Sequence, residues 1–227
     1  MFKSLVLLVL IWILPAQQSP PAATYHLAAV QVGGAKRYTP EDVARLSGLV
    51  VGQPVTIADL QPAANRLVSS GLFKELRYRY VTAGKQMTVV FEFDEAEWTV
   101  PVVFDNFVWL TDEETSAAVR QGVPSFDGSS PATEGAPELI RVALQQLLEM
   151  HKLPGTVTFV PHTDMKTSAV RYLFSVKDPA PKVCAVQIKG ASPGREVDLV
   201  DATRALIGAD YSRFYTANMA RGTLLDL

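Results

Sequence analysis

Residues 60–95 read LQPAANRLVSSGLFKELRYRYVTAGKQMTVVFEFDE, and the hydrophobic period changes once inside this stretch. Leu60, Ala63, Ala64 and Leu67 recur at the spacing of one helical face until Gly71, Leu72 and Phe73 turn the chain. Beyond that corner the period is two. Leu76, Tyr78 and Tyr80 alternate with Glu75, Arg77 and Arg79, Ala83 to Lys85 form a turn, and Val89, Phe91 and Phe93 alternate with Val90, Glu92 and Asp94. A helix passing through a Gly-Leu-Phe corner into a hairpin is therefore expected, with acidic residues Asp94 and Glu95 at its far end.

Working outward from this stretch, His26 to Val32 reads as a strand with Ala28, Val30 and Val32 on one side. Thr39, Pro40 and Asp42 then give a cap, a tolerated first-turn proline and a reach-back carboxylate for a short helix facing inward through Val43 and Leu46. Gly48 stops it. Asp59 is the expected cap of the second helix, because that choice keeps Pro62 in the first turn. The same order restarts at Pro101 to Trp109, a strand. Thr111 to Glu114 make a capping box for a helix ending at Gly122. A Ser/Pro/Gly-rich insertion is expected between Pro124 and Pro137. A helix carrying Leu139, Val142, Ala143 and Leu147 follows, then strands over Thr156 to Val160 and Thr167 to Val176. A third copy opens at Val183, where Ala185 to Ala191 repeat Ala29 to Ala35 at an offset of 156, or two steps of about 78. It offers helices over Asp198 to Leu206 and Thr216 to Leu225 but no hairpin.

Composition narrows the function. The chain has 227 residues, 48% of them hydrophobic, and a net charge of -2 from 21 basic and 23 acidic residues, so no strong positive field exists to hold a phosphate backbone. Lys3 followed by an apolar run from Leu5 to Leu14 and small residues after Pro15 has the layout of a secretory signal peptide, with a retained signal anchor as the alternative. The single cysteine, Cys184, cannot pair within the chain and is expected as a small buried apolar residue. His26, His151 and His162 are too far apart in sequence for a zinc motif. Asp94, Glu95 and Glu97 lack a neighbouring nucleophile, phosphate loop or histidine, so a solvated strand end is expected there. Trp98 and Trp109 are expected in core or inter-unit packing. No catalytic residue, metal ligand or cofactor site is expected.

The strand ending at Gly33 and Gly34, Tyr38, Gly48, Gly52, the corner Gly71-Leu72-Phe73 and the acidic end at Asp94 and Glu95 resemble tandem POTRA modules, the periplasmic domains of BamA-type outer-membrane assembly proteins. The second copy shares Phe104, Phe107 and the Thr111 to Glu114 start, with Leu153, Pro154 and Gly155 at its corner. The resemblance implies an α+β chain of β-α-α-β-β modules, each a three-stranded sheet covered on one face by two helices. It implies a leader and spacer over 1–23, modules over 24–97 and 98–179 and an incomplete module over 180–227. It also implies a periplasmic, outer-membrane-associated role in which Glu75, Leu76, Arg77, Tyr78, Arg79 and Tyr80 form a sheet edge. Unfolded outer-membrane proteins or assembly-complex subunits would dock there as an added strand. The matching strand Thr156 to Val160 is a weaker edge because Pro161 removes a donor. The family's membrane β-barrel is absent from these residues. A stand-alone or signal-anchored adaptor of a division or secretion complex, and more remotely a hydrolase, are the other readings.

Overall fold

The computed structural model describes residues 23–164, 167–190 and 192–215. The first 22 residues of the expected leader and the helix expected from Thr216 onward lie outside them.

The first unit runs β1 (Thr24–Gly33), α1 (Pro40–Ser47), β2 (Pro54–Thr56), α2 (Ile57–Ser69), β3 (Phe73–Ala83) and β4 (Gln86–Glu95). Its sheet has the order β2-β1-β4-β3. β1 runs parallel to β4, while β3 is antiparallel to β4 and β2 to β1. The parallel pair needs a crossover, which α1 and α2 supply. Their inward residues Val43, Leu60, Ala63, Ala64 and Leu67 pack on Leu27, Val30, Met87, Val89 and Phe91. The short β2 is a fourth strand beyond the three expected, formed where the chain crosses between the helices. A register shift between Leu27 and Ala29 makes Ala28 an extra residue, so Leu27 faces the core and Ala28 is exposed.

In the first unit the helix starts follow the sequence with one correction. Thr39 accepts from the Asp42 N–H at 3.2 Å while the Asp42 carboxylate accepts from the Thr39 N–H at 3.0 Å, the reciprocal pair expected. For α2 the cap is Thr56, not Asp59. The Thr56 N–H and hydroxyl both donate to the Asp59 carboxylate, at 2.8 and 2.7 Å. The helix therefore begins earlier and carries Pro62 in its interior. Glu95 also differs from expectation. Instead of lying in solvent, its carboxylate accepts from the Lys36 and Arg37 N–H groups at 2.6 and 2.7 Å and pins the loop after β1.

The second unit repeats the plan with β5 (Trp98–Phe104), α3 (Asp112–Gly122), β6 (Ser129–Pro131), α4 (Gly135–Met150), β7 (Thr156–Thr163) and β8 (Val170–Lys177), in the order β6-β5-β8-β7. The segment expected as an insertion contains β6 and the first turn of α4, so it is the counterpart of the Leu49–Thr56 crossing. The Asn106 side chain extends the ladder past β5: its amide donates to the Val176 carbonyl at 3.0 Å and accepts from the Val176 N–H at 2.6 Å.

Two glycines let the units touch backbone to backbone. A Cβ on Gly135 would overlap the Ser69 carbonyl oxygen and lie 2.6 Å from the Ser70 carbonyl carbon. Gly71 has φ 68°, as its corner requires, and a Cβ there would also run into Thr133. Thr133 Oγ1 donates to the Gly71 carbonyl at 3.0 Å, Ser125 Oγ to the Arg37 carbonyl at 2.7 Å, and Arg45 to the Gln121 carbonyl at 2.6 Å. The Arg37 guanidinium lies over Trp98 and pairs with Asp127, which places Trp98 in the joint as expected, whereas Trp109 is exposed. Tyr38, buried beside this joint, stacks edge-on against Phe73 at 4.9 Å. Burial raises its phenol pKa above the ordinary value, with the Glu95 charge adding to the rise.

The third copy forms in part. The strand expected from Val183 is limited to a bridge between Lys182 and Asp210, because among the described residues no β4-like strand lies beside it. The crossover pairing is nevertheless kept at the 156 offset. Gly52 N–H donates to Leu27 O at 2.7 Å and Leu27 N–H to Gln53 O at 3.0 Å; Gly208 N–H donates to Val183 O at 2.8 Å and Val183 N–H to Ala209 O at 3.0 Å. Cys184 occupies the position of Ala28 (184 − 156 = 28) and is exposed rather than buried. α5 (Pro193–Thr203) starts five residues before the expected Asp198, and a 3-10 turn carries it to Leu206. Ser212, at the Thr56 position, accepts from the Tyr215 N–H at 2.9 Å. This segment docks on the second unit through buried Asp105, which accepts from Ser212 Oγ at 2.9 Å and the Phe214 N–H at 2.8 Å.

Gly135→Ala should lower stability by about 1–3 kcal/mol, because overpacking against Ser69 outweighs a helix-propensity gain of at most about 1 kcal/mol. Urea unfolding checks this, and a raised midpoint would contradict the contact. Hydrogen bonds from Thr56 to Asp59, from Thr111 to Glu114 and from Arg141 to Glu138 hold these carboxyls below their usual pKa range. Their stabilisation is fully present above the unfolded pKa values of about 4 and is lost as pH falls through the lower folded values. Melting temperature should accordingly drop below about pH 4 and stay flat from pH 5 to 7 on their account.

Candidate interaction edge

β3 is the outermost strand of its sheet and pairs only with β4 among the described residues. The register explains how its side chains are dealt. Tyr78 opposes Phe91 and Tyr80 opposes Val89, on the helix-covered side, while Arg77 opposes Glu92, Arg79 opposes Val90 and Val81 opposes Thr88, on the other. Tyr78 is half-buried and its hydroxyl donates to the Gln61 side-chain carbonyl of α2 at 3.2 Å. Leu76 packs partly against the core. Glu75, Arg77, Arg79 and Tyr80 are exposed, Tyr80 by 40%.

The structure therefore brings all six sequence-derived residues to one edge, yet they do not form one uninterrupted run. Between Lys74 and Arg77 the register shifts, three steps along β3 matching two along β4, and Glu75 sits at φ 46°. This is a bulge, and it bends the strand away from regular pairing. The regular edge is Arg77–Ala83, in which alternate residues turn their N–H and C=O groups away from β4. Val81, Thr82 and Ala83, outside the expected six, belong to this edge. The bulge's only trace in the side-chain pattern is the odd step from Phe73 to Leu76, which falls where the Gly71-Leu72-Phe73 corner is expected to end, and Leu76, Tyr78 and Tyr80 alternate regularly beyond it.

A broad open depression of about 390 Å³ adjoins the bulge, lined by Gly33, Gly34, Glu75, Arg77, Glu92 and Asp94. Among the described residues no group of three or more His, Cys, Asp or Glu side chains is placed to hold a metal ion, and no helix is long and apolar enough to cross a membrane. The second unit's edge, β7, pairs with β8 along its whole length, with Pro161 opposite Tyr172. At its far end His162 lies against Phe214 and Tyr215, so this edge is partly covered.

The repeated strand, two-helix crossover and hairpin, with the last strand set parallel to the first, give both complete units a POTRA-type fold. Among solved structures, POTRA1-3 of the periplasmic domain of Omp85 from Anabaena is similar over 91% of this chain and 86% of its own, at 12% identity and a TM-score of 0.32. The N-terminal domain of Omp85 from Thermosynechococcus elongatus covers 89% and 86% at 14% identity and 0.32. BamA POTRA3-5 from Haemophilus influenzae covers 93% and 89% at 12% identity and 0.33. No protein-family model and no curated protein matches the sequence.

A left-handed residue with a side chain costs roughly 1–2 kcal/mol. Replacing Glu75 by Gly should therefore leave stability unchanged or raise it by up to about 1 kcal/mol. Glu75→Val should lower it by more than about 1 kcal/mol. Chemical denaturation of the two variants checks the bulge, and equal midpoints would contradict it.

Proposed function

We propose that the chain is the periplasmic client- or partner-binding part of an outer-membrane β-barrel assembly factor, and that it docks extended polypeptide by adding a strand to β3. In this reading residues 24–97 and 98–179 are two complete modules and 180–227 belong to an incomplete third, preceded by a leader over 1–23. The observation that carries it is the open edge Arg77–Ala83, whose outward main-chain groups have no strand partner among the described residues. Main-chain pairing gives affinity with little sequence demand, which suits a factor that handles many unfolded barrel proteins. An exposed edge is a hazard unless it is used or guarded. Here the bulge and the arginines restrict access at one end, while Val81, 59% exposed, leaves the other open.

A photocrosslinking amino acid placed in turn at Arg77, Arg79 and Val81 should capture unfolded outer-membrane protein well above the level captured from Glu41 on α1. Equal capture from the helix and the strand would refute strand addition.

A further inference from the structure

The edge has two chemically different flanks, and from them we infer the kind of segment it accepts; this inference rests on β3 being the docking strand. On the open face, Arg77 and Arg79 stand two residues apart, Arg77 opposite Glu92 and Arg79 opposite Val90, with Glu75 and Asp94 at the bulge end beside Arg77. Arg79 Nε holds the Glu92 carboxylate at 3.2 Å. Arg77, exposed and opposite the same residue, makes no ion pair among the described residues. On the helix side the strand presents Tyr78, anchored to Gln61, and Tyr80, whose ring is partly bare.

An added strand would run about 4.8 Å from β3 with its side chains alternating between these flanks. Residues opposite Arg77 and Arg79 share the open face, and the residue between them falls opposite Tyr78. The occupant is thus an extended segment of another polypeptide carrying an acidic-apolar-acidic core, with a second apolar or aromatic residue meeting Tyr80. Directly opposed unlike charges and aromatic-apolar pairs each favour pairing, whereas like charges oppose it. The usable length is bounded by Arg77 at the bulge and Ala83 at the turn, so the segment engages over about seven residues.

Three synthetic peptides of equal length test this against the full chain: one alternating Glu with Val and Phe, one with Lys in place of Glu, and one with the first peptide's composition arranged in blocks. Fluorescence anisotropy should show the acidic alternating peptide binding roughly three- to tenfold tighter than the Lys peptide. The preference should shrink at high salt and reverse in the double variant Arg77→Glu, Arg79→Glu. The blocked peptide should bind weakest. A crosslinker at Val81 should label the bound peptide in each case. Acidic and Lys peptides bound equally at Val81, with no reversal in the double variant, would overturn the inferred chemistry while leaving strand addition intact. No binding by any peptide, with no label at Val81, would remove the docking strand itself and this inference with it.

Discussion

The parallel pairing of the first strand of each unit with its last is the constraint from which the other features descend. A parallel partner cannot be reached by a tight turn, so the chain must leave the sheet, and the amphipathic α1 and α2, like α3 and α4, occupy that detour and cover one face. Because β1 lies against β4, the first strand of the hairpin is displaced to the margin. β3 and β7 are edges for this topological reason, whatever their side chains. The acidic end of β4 serves the same pairing, since Glu95 fastens the loop that leaves β1.

The two complete units are less independent than a repeat with polar linkers would be. Contact between Gly135 and the end of α2, and between Gly71 and Thr133, is close enough to exclude a methyl group. Hydrogen bonds from Ser125 and Arg45 to opposing carbonyls surround it. The next joint uses different chemistry: a buried carboxylate, Asp105, receives Ser212 and the Phe214 N–H, with Arg213 paired to Asp112. In both, the approach to a unit's second helix meets the loop after the preceding unit's first strand. Comparable surfaces are therefore reused along the chain.

Much of this was legible in the residues. The change of period at Gly71-Leu72-Phe73, the capping boxes at Thr39 and Thr111 and the 156-residue recurrence are local signals, and local signals place elements. What escaped is decided by partners distant in sequence. β2 and β6 are three residues each and exist only because β1 and β5 lie beside them. The extra residue Ala28 rotates Leu27 into the core, which a strict alternation misplaces, and Cys184 is exposed because among the described residues no strand like β4 lies beside its segment. Asp59 was a reasonable cap by proline placement, but Thr56 supplies a start whose carboxylate partner lies three residues on. For the edge itself, the side chains were readable and the main-chain break at Glu75 was not.

The recurrence of the Leu27–Gln53 pairing at Val183–Ala209 bears on the order in which such a unit assembles. Both span 26 residues (53 − 27 and 209 − 183), whereas β1 reaches β4 across 60, from His26 to Gln86. Shorter loops lose less entropy on closing and tend to form sooner. The segment after Val183 keeps this shorter pairing. In each unit the shorter closure is therefore the one favoured to form first.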